Sequence, residues 1–134
     1  MKRLVLPLVL SLVGCEAETE VPQDSADTSV ELPPTAYERD LAPLLLACTG
    51  CHSGDEPESG LDLTDIWAIS GQESSQTEMS LLEPYNHLES YLWHKVAGTQ
   101  GIAGGLGTSM PIGDTWSEEN IDLLALWIDL GMPE

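Results

Sequence analysis

Cys48-Thr49-Gly50-Cys51-His52 constrains this chain more than any other stretch of its 134 residues. Two thiols at that spacing fall about one helical turn apart, on one side of the backbone. The histidine follows at once and sets an imidazole beside them. Redox dithiols and zinc knuckles share the first four positions. The immediate histidine narrows the reading to the attachment pentad of c-type haem. In that chemistry both thiols add across the vinyl groups of one porphyrin, and the imidazole becomes the proximal ligand of the iron. The sequence holds one such pentad and no internal repeat. A single covalent haem c is therefore expected, with Cys48 and Cys51 as its thioether residues and His52 on the iron.

The amino terminus bears on where that chemistry would take place. Met1-Lys2-Arg3 is followed by an apolar run to Val13, too short to span a bilayer, and then by Gly14-Cys15. Leu12-Val13-Gly14-Cys15 resembles a bacterial lipobox, in which the peptidase cuts before a cysteine that carries diacylglycerol. The resemblance implies a signal peptide over residues 1–14, a lipidated Cys15 and a membrane anchor facing the periplasm, on the inner or the outer membrane. An ordinary secretory signal or a short hydrophobic anchor is the plainer alternative. Cysteine arithmetic favours the lipobox. Three cysteines leave an odd thiol in an exported chain, whereas one for lipid and two for haem leave none. Export also argues against zinc, because c-type haem is attached outside the cytoplasm.

Charge excludes some partners. Lysine and arginine total 4 against 23 acidic residues. Loss of Lys2 and Arg3 with the signal leaves Arg39 and Lys95 as the only strong cations. Nucleic acid and anionic lipid surfaces are poor partners for such a surface. It suits either plain solubility or steering toward a basic redox partner protein. Arg39 and Lys95 are also candidates to offset haem propionates.

Residues 16–34 hold six acids, three prolines and no base, without an apolar period. With Cys15 they read as a lipidated, disordered linker over residues 15–34, reaching about 25 Å if it behaves as a flexible coil. The domain proper is expected over residues 35–134. Residues 37–47 carry a helical pattern through Leu41, Leu44 and Leu45, starting near Asp40 or bending at Pro43. A short extended or turn segment at residues 61–63 and one helical turn over residues 65–69 follow, then polar loop. Leu88, Leu92 and Val96 recur at helical spacing and predict a second helix over residues 88–96. Five glycines in residues 98–107 forbid a regular element there. Residues 116–130 form the strongest helical pattern, with Thr115 or Ser117 as N-cap and Gly131 and Pro133 as its stop. Trp93 and Trp127 are expected to pack on each other or on the porphyrin. Alternating β patterns are few, so the domain reads as all-α.

In this order the pieces resemble a family. Pro43 and Leu45 before the pentad, Gly60-Leu61-Asp62-Leu63, Ser90-Tyr91-Leu92, Met110-Pro111 and Leu124-Ala125-Leu126-Trp127-Ile128-Asp129-Leu130-Gly131 are similar to small class I-like cytochrome c domains of planctomycete-type and periplasmic modules. The resemblance covers about the last hundred residues. It departs at Met110-Pro111-Ile112, where such domains often carry two prolines. The resemblance implies a helical domain wrapped around one covalently attached haem, with histidine and methionine as axial ligands.

Met110 suits the second axial position for a further reason. Pro111 moves the preceding residue out of the α region, and nearby glycines allow close backbone approach. His94 and His87 are the rivals, and an open site is the remaining alternative. With six ligands filled, the chain is expected to be an electron carrier and not an enzyme, a membrane-tethered cytochrome working outside the cytoplasm. A haem enzyme or gas sensor with an open distal site, or a haem-carrying interaction module of a larger assembly, is the alternative.

Overall fold

The first helical run survives the proline that interrupts its pattern. In the computed structural model, which describes residues 37–134, a π-helical turn over Tyr37–Leu41 leads into α1, Ala42–Leu46, and then into a 3₁₀ turn over Ala47–Gly50. Pro43 falls in the first turn of α1, where its missing N–H costs no helical bond. Leu41 and Leu45 point inward and are buried. The expected signal peptide, Cys15 and the acidic linker lie outside the described residues.

Residues 61–63 are irregular, and a 3₁₀ turn over Ile66–Ile69 follows. Asp65 caps that turn, its carboxylate accepting from the backbone N–H groups of Trp67 and Ala68. The polar stretch after it closes through isolated bridges, Ser70 with Leu82, Glu73 with Ser80 and Ser80 with Ser90. Among the described residues these bridges are the only β pairing, and the domain is all-α.

The second helix begins later than its apolar spacing predicts. A 3₁₀ turn over His87–Glu89 ends at Ser90, which is extended, and α2 runs over Tyr91–Ala97. The cause is Ser90 itself. Its hydroxyl is fully buried, accepts from Glu83 N–H at 2.8 Å and donates to the Asn86 carbonyl at 3.0 Å. That local bonding outcompetes continued helix. Leu92 and Val96 enter the core, whereas Leu88 is exposed.

The last helix, α3, spans Glu118–Asp129. Ser117 is its N-cap, accepting from Asn120 N–H at 3.3 Å, so Thr115 lies outside the helix. Its end is a Schellman motif. Gly131 at φ 88° donates to Ile128 O, and Met132 donates to Trp127 O. Met132 then packs back into the core beside Trp127.

The core gathers Leu41, Ile66, Leu82, Leu124 and Ile128, each almost wholly buried, and α3 meets α2 across it. Full burial of one such side chain contributes about 1.5–3 kcal/mol. An aromatic group joins the two ends of the domain. Tyr37 stacks on Trp127 with ring centres 5.2 Å apart, and Trp67 lies 4.5 Å from Tyr37. The indole N–H groups of Trp67 and Trp127 donate to Met132 O and Pro133 O. Trp127 thus packs in this group, while Trp93 lies against the rings of His87 and His94. Among the described residues no helix is long and apolar enough to cross a membrane.

Candidate functional site

The pentad closes the first helical run. Cys48 and Gly50 lie in the 3₁₀ turn, and the N–H groups of Cys51 and His52 both donate to Cys48 O, at 3.2 and 3.0 Å. One turn of backbone therefore carries both thiols and the imidazole. Neither cysteine is in a disulfide; Cys48 is half-buried and Cys51 exposed. Burial, then the neighbouring Cys51, push the Cys48 thiol pKa up. Cys48 is accordingly held as a thiol at neutral pH.

His52 is oriented by the strap that follows it. Glu58 N–H donates to Cys51 O, and Leu63 N–H donates to His52 O at 2.9 Å. The imidazole Nδ1 lies 3.1 Å from the Glu58 carbonyl. A carbonyl can only accept, so Nδ1 carries a proton, and in the neutral ring Nε2 keeps the lone pair. This is the tautomer that a metal ligand through Nε2 requires, with the other ring nitrogen pinned by a backbone carbonyl. Among the described residues no three His, Cys, Asp or Glu side chains converge on a single ion.

Met110 lies on the irregular segment after α2. That helix ends at Gly98, whose left-handed φ of 71° turns the chain and whose N–H returns to His94 O. Met110 is half-buried, and its N–H donates to Lys95 O at 2.8 Å. An open depression runs along the same segment, lined by Thr108, Ser109, Ile112 and Asp114 among others. The hydrogen bonds of the pentad stay within residues 44–63, and those around Met110 run to α2 and to Gln76. The three pentad residues are thus brought together, while no hydrogen bond among the described residues links them to Met110.

Of the rival histidines, His94 is bonded through both ring nitrogens and His87 through Nδ1. His94 is buried; its Nε2 is 2.9 Å from Leu88 O and its Nδ1 2.7 Å from the Thr99 hydroxyl. Nε2 must donate, so Nδ1 accepts and no ring nitrogen is left over. His87 fastens its turn to α3. Its backbone N–H donates to Asp129 Oδ1 at 3.0 Å, and its Nδ1 lies 2.8 Å from Asp129 Oδ2. These bonds, with the backbone one first, hold the Asp129 carboxyl below its ordinary pKa.

The two cations are also committed. Arg39 pairs with Asp40. Lys95 is only 9% exposed and donates from Nζ to Thr108 O at 2.8 Å and to Leu106 O at 3.4 Å. Burial lowers its pKa. Sequence reading missed this arrangement, and its one signal was a lone lysine beside a glycine-rich stretch. The Glu58 carbonyl on His52 had no sequence signal, because any residue supplies a carbonyl. Trp93 Nε1 is buried without a partner among the described residues.

Some large apolar side chains near these segments are exposed, as Tyr85, Leu88, Leu126 and Leu130 are elsewhere. Leu46 is 70% exposed, Ile102 86%, Leu106 75% and Ile112 77%. One precedes the pentad by two residues, and the other three bracket Met110.

Comparison with family models, with curated proteins and with solved structures gave no match.

Proposed function

We propose that this chain is a monohaem c-type cytochrome with a cytochrome c-like domain, tethered through Cys15 and carrying electrons outside the cytoplasm. The observation that supports this most is the pentad's chemistry: two unpaired thiols on one turn beside a His52 whose Nε2 lone pair is left available. Cys48 and Cys51 would hold the porphyrin as thioethers, and His52 would offer Nε2 to the iron. The Glu58 carbonyl fixes the ring and raises its basicity. Met110 would supply its thioether as the second iron ligand. Leu46, Ile102, Leu106 and Ile112, exposed and near these residues in sequence, would offer the porphyrin apolar contact. When bound, the haem supplies a one-electron iron couple whose potential a thioether ligand raises.

Engagement of both His94 ring nitrogens favours methionine over that histidine as second ligand, and it leaves no ring nitrogen for distal acid–base work. The acidic surface suits a basic redox partner protein.

The test is an optical spectrum of the purified protein, oxidised and reduced, with and without carbon monoxide. The proposal expects a Met–Fe(III) charge-transfer band and no carbon monoxide binding. Met110→Ala should lose the band and admit carbon monoxide, while His87→Ala and His94→Ala should leave the ligand set in place. A histidine variant that opens the iron while Met110→Ala does not would overturn the ligand assignment.

A further inference from the structure

The segment between Gly98 and Met110 is poorly equipped to hold itself. It contains Gly101, Gly104, Gly105 and Gly107, whose backbone freedom makes ordering costly, and Ile102, Leu106 and Thr108 are exposed. A thioether aimed at one point needs a backbone that stays in one place. Something outside the segment has to hold it.

Lys95 does so from two sides. Its own carbonyl accepts from Met110 N–H at 2.8 Å, and its ammonium donates to Thr108 O and Leu106 O, two and four residues before Met110. Ammonium hydrogen bonds are stronger than neutral ones. The choice of partner is informative. The sequence offers 23 carboxylates, yet among the described residues the ion pairs are Arg39 with Asp40 and His87 with Asp129. Lys95, near the end of α2, spends its charge on carbonyls of the following segment and not on an acid. A buried cation without a counter-ion is costly. That cost is offset here by the hydrogen bonds to the Thr108 and Leu106 carbonyls, which tie the segment before Met110 to α2.

Two other contacts reinforce the grip. Gln100 Nε2 donates to Gly107 O at 3.2 Å. The Tyr91 hydroxyl donates to Gln76 Oε1 at 2.6 Å, and the same oxygen accepts from Leu106 N–H at 3.3 Å. Tyr91 and Lys95 both project from α2, which holds the segment directly through Lys95 and, through Gln76, by way of Tyr91.

We infer that Lys95 is the positioning residue of Met110, clasping its segment to α2 so that the thioether is held ready for the iron; this rests on the ligand reading of Met110 given above. Lys95→Met keeps the aliphatic stem and removes the ammonium. Lys95→Gln keeps a shorter donor and serves as the second variant should the first not fold. Two readouts are taken on the full chain. Amide hydrogen exchange in the haem-free protein is expected to rise about tenfold or more over residues 106–110, with α3 unchanged. In the haem-loaded protein the Met–Fe(III) band should weaken and carbon monoxide should bind, while haem stays covalently attached and helical circular dichroism is retained. Unchanged exchange over residues 106–110 in a folded variant overturns the clasp. A variant with an intact band and no carbon monoxide binding overturns its role in ligation. Absence of the band from the unsubstituted protein overturns the ligand reading of Met110 instead, and the exchange data keep the two failures apart.

Discussion

Two glycines four residues apart should respond to alanine in opposite ways. A Cβ at Gly105 would run into the Tyr91 ring, 2.6 Å from its Cε2 and Cζ and nearer still to the hydroxyl. Tyr91 is only 4% exposed and its hydroxyl is bonded to Gln76, so the ring has little room to withdraw. Overpacking of this kind costs about 1–3 kcal/mol, and breaking the Tyr91–Gln76 bond adds about 1 kcal/mol. Gly105→Ala is therefore expected to destabilise by about 2–4 kcal/mol, lowering Tm by roughly 10–20 °C for a domain of this size. Gly101 has no atom within 4 Å of an added Cβ and no positive φ. Alanine there restricts the unfolded chain alone and should be neutral or stabilise by about 0.4–1 kcal/mol. Urea and thermal unfolding of both variants beside the unsubstituted protein measure the difference. Equal effects at the two positions would refute the argument that Tyr91 pins this segment.

The remaining predictions concern acid sensitivity, anchoring and docking. Asp129 has a depressed folded-state pKa, so its contribution to stability is complete above the unfolded carboxyl value near about 4 and is lost as pH falls through the lower folded value. The stability gap between the protein and Asp129→Asn should shrink in acid, and a gap constant between about pH 2 and 6 would exclude the His87 contact as its source. Cys15→Ser should abolish lipid modification and leave the precursor uncleaved by the lipoprotein peptidase, and mass spectrometry finding an unmodified mature terminus elsewhere would defeat that reading. Electron transfer with a basic partner should slow steeply as salt rises, since exposed charges are screened beyond about 8–10 Å at physiological ionic strength. A flat salt dependence would assign the acidic surface to solubility alone.

Local bonding marks the limit of what the sequence conveyed. The helix before Cys48, the turn at Asp65 and α3 could be read from apolar spacing and capping residues, because these elements bury the same face that their periodicity displays. The start of α2 could not. Leu88, Leu92 and Val96 hold helical spacing, yet the buried Ser90 hydroxyl bonds to Glu83 and Asn86 and interrupts it. Thr115, which with Glu118 fits a capping box, and Ser117 were both candidate caps until the chain path put Ser117 beside Asn120 N–H. At the site, Cys48, Cys51 and His52 were legible as adjacent residues with one chemistry. The lone pair on His52 Nε2 was not, since it follows from a carbonyl six residues away. The Lys95 clasp was hidden for the same reason. Backbone acceptors carry no sequence identity, and only the fold brings them to the ammonium.

Covalent attachment of haem to the pentad is the claim on which the functional account stands. It is tested by expressing the protein with the c-type maturation machinery, denaturing it and extracting with acidified organic solvent. The haem is expected to remain with the polypeptide as a single haem increment in intact mass. Attachment should be lost or weakened in Cys48→Ala and Cys51→Ala, and maturation should fail in His52→Ala. Release of all haem from the unsubstituted protein into the solvent would contradict it.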